Sequence, residues 1–192
     1  MVRVSYQEKD AVSYLANYLT SLLYTLDPGD CRPVVVVCIG TNRSTGDSLG
    51  PFTGLYLLKH SELPVYGQIF EPVHAQNLAE RLDFIYCNYL DPLIIAVDAM
   101  VTDGQARVGQ ISLRYGPLCP GVAMRKELGQ VGDISLTGVV NVAGVTPEMT
   151  SLVLASTPLD RVLGMSRVIG ETIITACSRR VADYVAAKCI AV

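Results

Sequence analysis

The sequence predicts an α/β fold, a three-layer α/β/α sandwich around a mostly parallel sheet. Two runs, "PVVVVCIG" (33–40) and "PLIIAVDA" (92–99), are short, continuous and apolar, as expected for strands covered on both faces. Segments with helical spacing of apolar residues separate such runs, and this alternation indicates crossovers between parallel strands. The chain has 192 residues, 50% of them hydrophobic, which suffices for one sizeable core. We therefore predict a single domain over 1–192.

The first part of the chain predicts two helices on either side of a strand. Apolar residues recur at helical spacing over 10–26, and the segment "DPGD" (27–30) ends that helix. The strand 33–40 follows. After a polar loop, residues 50–60 predict a helix, with Pro51 in the first turn, where proline is tolerated.

The middle of the chain predicts four more strands and one helix. Strands are expected at 65–70 and 92–99, with a helix over 77–90 between them. Two further strands are predicted over 106–116 and 133–143. These elements complete a sheet region that spans 33–143.

A long loop and a long helix complete the prediction. The stretch "PLCPGVAMRKELGQVG" (117–132) has the glycine and proline content of a loop. Thr157 is a suitable helix cap, and Pro158 a suitable opening residue, for a C-terminal helix over 157–187. In such folds, active sites gather beyond the carboxyl ends of the parallel strands.

Composition excludes several classes of function. A net charge of −3 and a pI near 5.3 leave no basic footprint for nucleic acid. No apolar run approaches the roughly 18 residues that span a bilayer, and the start lacks the layout of a signal peptide. The six cysteines are scattered, without a C-x-x-C pair. We expect a reduced, cytoplasmic protein that binds neither membrane nor nucleic acid.

The loop after the first predicted strand contains "GDSLG" (46–50), which matches the G-x-S-x-G pattern and spells GDSL. Both patterns would make Ser48 a nucleophile. Ser48 lies eight residues past Gly40, however, and both histidines, His60 and His74, precede the C-terminal half. A serine without a suitable base is a poor nucleophile, so we reject both interpretations. Binding of phosphate at the helix N-terminus remains a minor alternative, disfavoured by the charge of Asp47.

Two carboxylates are better candidates for chemistry. Asp47 lies in the loop after one buried strand, and Asp98 ends another. Carboxylates that converge at one sheet edge would share a proton and titrate as a pair. One could deprotonate water while the other donates a proton. The alternative is structural, with Asp47 favoured by a helix N-terminus and Asp98 capping a turn.

Three segments carry a family resemblance. In order, "IGTNRSTGDSLGP" (39–51), "IAVDAM" (95–100) and "PGVAMRKEL" (120–128) resemble signature segments of the spore germination protease, an aspartate-dependent endopeptidase. The chain resembles the shorter YyaC-type sporulation proteins more closely still. Hydrogenase-maturation endopeptidases are wider relatives with the same phosphorylase/hydrolase-like α/β/α fold. The resemblance implies catalysis by Asp47 and Asp98 on small acid-soluble or other spore proteins, in the cytoplasm of the forespore or mother cell.

The resemblance also bears on metal and partners. Hydrogenase-maturation enzymes hold nickel with acidic residues of these two regions and a later histidine. No histidine follows Asp98 here, so no cofactor is expected. Nickel or zinc held by Asp47, Asp98 and His74 is the minor alternative. A protein or peptide substrate is implied, and a homo-oligomer is compatible with the family.

Several residues are candidates for supporting roles in this site. Their polar or charged side chains could orient substrate, tune an aspartate or line the cleft, although each could equally belong to a solvated surface. These candidates are Asn42, Arg43, Ser48, His74, Arg125, Lys126 and Glu127. The function we expect is therefore an aspartate-dependent endopeptidase. A non-catalytic sporulation protein that binds a peptide in the same cleft, and a phosphate- or nucleotide-binding protein, are the alternatives.

Overall fold

The computed structural model describes residues 1–120 and 129–190, and for 181–190 only the backbone. Six strands form one sheet in the order β1-β5-β6-β4-β2-β3. Only β5 runs against the other strands of this sheet, so the mostly parallel arrangement is confirmed. The strands are β1 (Val2–Ser5), β2 (Val34–Cys38), β3 (Val65–Tyr66), β4 (Leu93–Thr102), β5 (Gln110–Tyr115) and β6 (Ile134–Val142).

Helices cover both faces of the sheet, which confirms the three-layer α/β/α prediction. Helices α1, α2 and α5 contribute to one apolar core, and α3 contributes to the other. The short helix α4 packs against β6 and adds Leu154 to the first core. The helices are α1 (Ala11–Leu26), α2 (Leu49–His60), α3 (Leu78–Asn88), α4 (Pro147–Ala155) and α5 (Leu159–Ile190).

Strand alternation assigns side chains to the two cores. On β4, Ile95 and Val97 belong to the core beneath α1, α2 and α5, whereas Ile94 and Ala96 belong to the core beneath α3. Successive side chains of a strand point to opposite faces. The side chain of Asp98 therefore belongs to the α3 face.

The structure extends β4 beyond its predicted end. The sequence predicts a strand that ends in Asp98, but β4 continues to Thr102. Pairing with β2 stops at Val97, one residue before the predicted end of the strand. Pairing with β6 continues to Thr102. β6 carries one extra residue, Val140, opposite the junction of Met100 and Val101. The prediction was wrong about the end of β4 because the neighbour on its other side is longer.

The sequence did not predict β1 or α4, and two predicted strands are shorter in the structure. β1 is an edge strand that pairs with β5, and α4 begins at Pro147 after a Thr146 side-chain cap. The strand predicted over 65–70 is limited to the two residues of β3. The strand predicted over 106–116 begins only at Gln110, because a 3-10 turn occupies the residues just before it.

A buried ion-pair cluster joins α5 to the chain that follows α1. The Arg180 guanidinium contacts the carboxylates of Asp27 and Asp30, and only 2% of its side chain is exposed. Burial alone would raise the pKa of Asp27. Hydrogen bonds from the N–H groups of Arg32 and Cys31, together with Arg180, outweigh burial and lower it. None of the helices in the described part of the chain is long and apolar enough to cross a membrane.

Candidate active site

A closed loop links β2 to α2 and carries Asp47. At the end of β2, the Ile39 N–H donates to the Val97 carbonyl at 2.7 Å, which fixes the loop to β4. The Thr41 N–H donates to the Asp47 carbonyl at 3.1 Å and closes the loop at its base. Residues Gly46–Ser48 form a 3-10 turn that leads directly into α2. Asp47 is thus held beside the part of β4 that follows Val97.

The Ser48 hydroxyl is part of this loop's support. It donates to the Thr41 carbonyl at 2.9 Å and to the Ser44 carbonyl at 2.8 Å, and only 4% of the residue is exposed. The Ser48 N–H also donates within the loop, to the Thr45 carbonyl at 3.2 Å. A hydroxyl engaged in this way holds the backbone that carries Asp47.

Two glycines allow the backbones to approach closely enough to make the site. A Cβ on Gly40 would lie 2.1 Å from the Asp47 carbonyl oxygen, and Gly40 has a φ of 152°. A Cβ on Gly50 would lie 2.0 Å from the Ile39 carbonyl oxygen. Both distances are far below contact, so only glycine fits at these positions. The glycines of the loop therefore set the position of Asp47 relative to the end of β2.

Asp98 lies directly beyond the point where β2 stops pairing with β4. Its Oδ1 accepts a hydrogen bond from the Ala99 N–H at 2.8 Å, and the residue remains partly accessible. Burial of the carboxyl raises its pKa to about 8; the Ala99 N–H counters this rise, and the negative charge of Asp47 adds to it. The Asp98 carboxyl is therefore protonated at neutral pH.

Asp47 has a raised pKa as well. Burial is the main cause, and the neighbouring Ser44 side chain counters part of the rise. The negative charge of Asp47 contributes to the raised pKa of Asp98, so the two carboxyls interact electrostatically. This pair is what the structure brings together from the candidate residues.

Asn42 and Arg43 lie in the same loop but contact other groups. The Asn42 side-chain amide donates to the Ile69 carbonyl at 3.0 Å and ties the loop to the segment after β3. The Arg43 N–H donates to the Thr41 hydroxyl at 3.3 Å, and the residue is exposed. Within the described ranges, no ion pair involves Arg43.

His74 lies at the same end of the sheet, where it begins the turn into α3. Val73 forms a bridge with Ile39, so His74 follows directly beyond the end of β2. Its N–H donates to the Asn77 side chain at 2.8 Å, and its Nδ1 accepts from the Gln76 N–H at 3.3 Å. The side chain thus caps a local turn. No pattern in the sequence indicates this role.

The metal alternative requires three ligands close together. Residues 1–120 and 129–180 contain no group of three histidine, cysteine, aspartate or glutamate side chains that could hold a metal ion. Asp47, Asp98 and His74 are thus not assembled as a ligand set here. The candidates Arg125, Lys126 and Glu127 lie outside the described residues.

The residues that build the loop were missed at the sequence level. The carbonyls of Thr41 and Ser44 accept hydrogen bonds from the Ser48 hydroxyl. The Thr41 N–H also closes the loop by donating to the Asp47 carbonyl. Backbone partners leave no side-chain signature. The only available signals were the glycines on either side of the loop.

Comparison with known proteins identifies the family. The chain belongs to the family described as "Protein of unknown function (DUF1256)", whose model matches residues 3–172. Among individual proteins, it is 39% identical over 171 residues to "Uncharacterized protein YyaC" of Bacillus subtilis (strain 168), covering 88% of this chain and 80% of that protein. This match confirms the relationship to YyaC-type proteins that the three sequence segments predict.

Among solved structures, the chain is similar to the [NiFe] hydrogenase maturation protease HycI from Thermococcus kodakarensis KOD1. The similarity covers 79% of this chain and 97% of that chain, with 17% identity and a TM-score of 0.44.

Proposed function

We propose that this chain is an aspartate-dependent endopeptidase of sporulation or germination, acting on small acid-soluble or other spore proteins. One observation carries the proposal: burial raises the pKa of Asp98 to about 8 and the negative charge of Asp47 adds to the rise, so the two carboxyls interact at one end of the sheet. A pair with one acid and one base at neutral pH has the composition that peptide hydrolysis requires.

The proposed reaction assigns one role to each carboxyl. Asp47, ionised, takes a proton from a water molecule as the water oxygen attacks the peptide carbonyl carbon. Asp98, protonated, donates its proton to the carbonyl oxygen, and a tetrahedral diol forms. The proton held by Asp47 then passes to the amide nitrogen while Asp98 takes back its proton from a diol hydroxyl. The C–N bond breaks, and a carboxylic acid and an amine leave.

We propose that this reaction needs no metal, because the carboxyl pair can itself activate the water. Treatment with a chelator should leave cleavage unchanged. Loss of cleavage on chelation, with recovery on adding nickel or zinc, would instead favour the alternative in which Asp47, Asp98 and His74 bind a metal.

The biological assignment rests on the family. The chain is 39% identical to a Bacillus subtilis protein, and three of its segments resemble the germination protease. Both observations support a role in a spore-forming bacterium. Small acid-soluble spore proteins are then the first substrates to test, and the cytoplasm of the forespore or mother cell is the proposed compartment. Self-association is part of the same proposal.

The decisive experiment compares cleavage of spore proteins by the wild type and three variants. Asp47→Asn and Asp98→Asn each remove one proton-transfer group without changing shape. We expect each to lower the rate by about 100- to 10,000-fold, the usual contribution of general acid–base groups. Asp103→Asn is the matched control, since Asp103 is an exposed aspartate just beyond β4.

The outcomes separate the candidate functions. Equal cleavage by Asp47→Asn, Asp98→Asn and wild type would overturn the mechanism. Binding of spore proteins without cleavage by the wild type would favour the non-catalytic peptide-binding protein. Binding of phosphate or nucleotide that increases in Asp47→Asn would favour the phosphate-binding alternative.

A further inference from the structure

The end of β4 has an open edge beside the carboxyl pair. β2 pairs with β4 only as far as Val97, whereas β4 itself continues to Thr102. Beyond Val97, all strand pairs of β4 within the described residues are with β6. One side of residues 99–101 therefore lacks a strand partner in the described part of the chain.

The direction of the backbone groups along this edge follows from two hydrogen bonds. The Val97 carbonyl accepts from the Ile39 N–H, so Val97 faces the β2 side. The Thr102 carbonyl accepts from the Ala143 N–H, so Thr102 faces β6. Successive residues of a regular strand direct these groups to opposite sides. Ala99 and Val101 therefore face the side that β2 has left.

This edge offers a short row of hydrogen-bonding groups. The Ala99 N–H is already bound to the Asp98 carboxyl. The Ala99 carbonyl and the N–H and carbonyl of Val101 form no hydrogen bond with any described residue. Extended peptides bind to such strand edges through their main chain, and their alternate side chains contact the surfaces on each side.

Apolar side chains are exposed around the last residues of β4. Met100 is 45% exposed and Val145 is 90% exposed. Val145 lies two residues after Ala143, whose N–H donates to the Thr102 carbonyl on the β6 side of β4. The backbone of Gly144 packs against Met149, whose side chain is also largely exposed. Exposed apolar side chains around a binding edge favour apolar residues in the bound segment.

We propose that residues 99–101 of β4 bind the substrate as an added strand, in which an extended polypeptide segment with apolar side chains lies beside Asp98. The choice of occupant rests on the proposed endopeptidase function, because a strand on this edge would pass directly along the carboxyl pair. The main-chain groups would position the peptide, and the exposed Met100 would favour apolar side chains in it.

The first test measures binding without cleavage. Hydrogen–deuterium exchange at individual backbone amides is followed in the Asp47→Asn variant, with carboxymethylated α-lactalbumin as a permanently unfolded probe. We expect the probe to slow exchange at the Val101 N–H. The Ala99 N–H, already bound to Asp98, is the internal control and should change little.

The second test removes the donor from the protein. Val101→Pro deletes the N–H that faces the open side, a position where an edge strand tolerates proline. Val101→Ala retains the N–H and is the matched control. Loss of one hydrogen bond should weaken probe binding by up to about tenfold in Val101→Pro relative to Val101→Ala.

The outcomes distinguish this inference from the proposed function. Protection of the Val101 amide without cleavage in the wild type would retain the binding edge and overturn the endopeptidase. Cleavage without protection, and with equal binding by Val101→Pro and Val101→Ala, would overturn the edge and retain the endopeptidase. Protection that grows with protein concentration in the absence of probe, with dimers in sedimentation, would assign the edge to a second copy and overturn the proposal.

Discussion

Replacing Asp98 by asparagine should make the protein more stable at high pH while removing its proposed activity. Asparagine has the shape of the protonated acid, and its Oδ1 can still accept the Ala99 N–H. Burial disfavours the ionised carboxylate of Asp98. The folded wild type is therefore destabilised at pH values where Asp98 loses its proton. The variant cannot ionise and avoids this cost.

The sign and size of the effect follow from the pKa. The folded pKa of about 8 lies above the ordinary value of 3.8, so wild type loses stability as the pH rises between these values. The full difference corresponds to about 6 kcal/mol, at about 1.4 kcal/mol per pKa unit. Asp98 is partly accessible, which reduces the cost, and we expect about 2–4 kcal/mol.

The assay is urea unfolding of wild type and Asp98→Asn across a pH series. Near about pH 3 the two should be nearly equally stable, because Asp98 is then protonated in the folded state and mostly protonated in the unfolded state, where its pKa is 3.8. The variant should gain relative stability up to about pH 8 and then hold a constant advantage. Asp103→Asn, at an exposed position, should follow wild type. A free-energy difference that does not vary with pH would refute the buried, protonated Asp98.

Three further predictions test the site and its support. Cleavage should fall as the pH rises through about 8, because Asp98 must hold its proton, and undiminished cleavage well above that pH would contradict its role as the acid. Ser48→Ala should lower the free energy of unfolding by about 1–3 kcal/mol yet retain measurable cleavage; complete loss of cleavage in a folded variant would revive the serine nucleophile. Arg180→Met should cost about 3–5 kcal/mol in urea unfolding, since it leaves the carboxylate of Asp27 buried without its cation, and an unchanged midpoint would contradict the buried pair.

The sequence was sufficient to predict the layers of the fold and to place Asp47 and Asp98 at the same end of the sheet. Continuous apolar runs identified β2 and β4, because strands covered on both faces need no alternation. Parallel strands place their carboxyl ends at one edge of the sheet. The location of Asp98 at that edge could therefore be predicted without the structure. The loop that holds Asp47 was located for the same reason.

Other features depend on partners that are remote in sequence. β1 has four residues, and it exists as a strand because β5 offers it an edge more than a hundred positions later. The length of β4 is set by β6, so the residues after Asp98 gave no local sign of their pairing. For α4 a local signal was present in Thr146 and Pro147, but the helix is short and its apolar residues are largely exposed.

The packing of α1 has a consequence for synthesis on the ribosome. Leu15, Leu19 and Leu23 of α1 are fully buried, and α1 packs against α5. α1 ends at Leu26, whereas α5 begins only at Leu159. The nascent chain must therefore carry an uncovered leucine face for most of its translation, a state that promotes aggregation. Chaperones that bind nascent chains should engage this helix first and release it only when α5 has emerged.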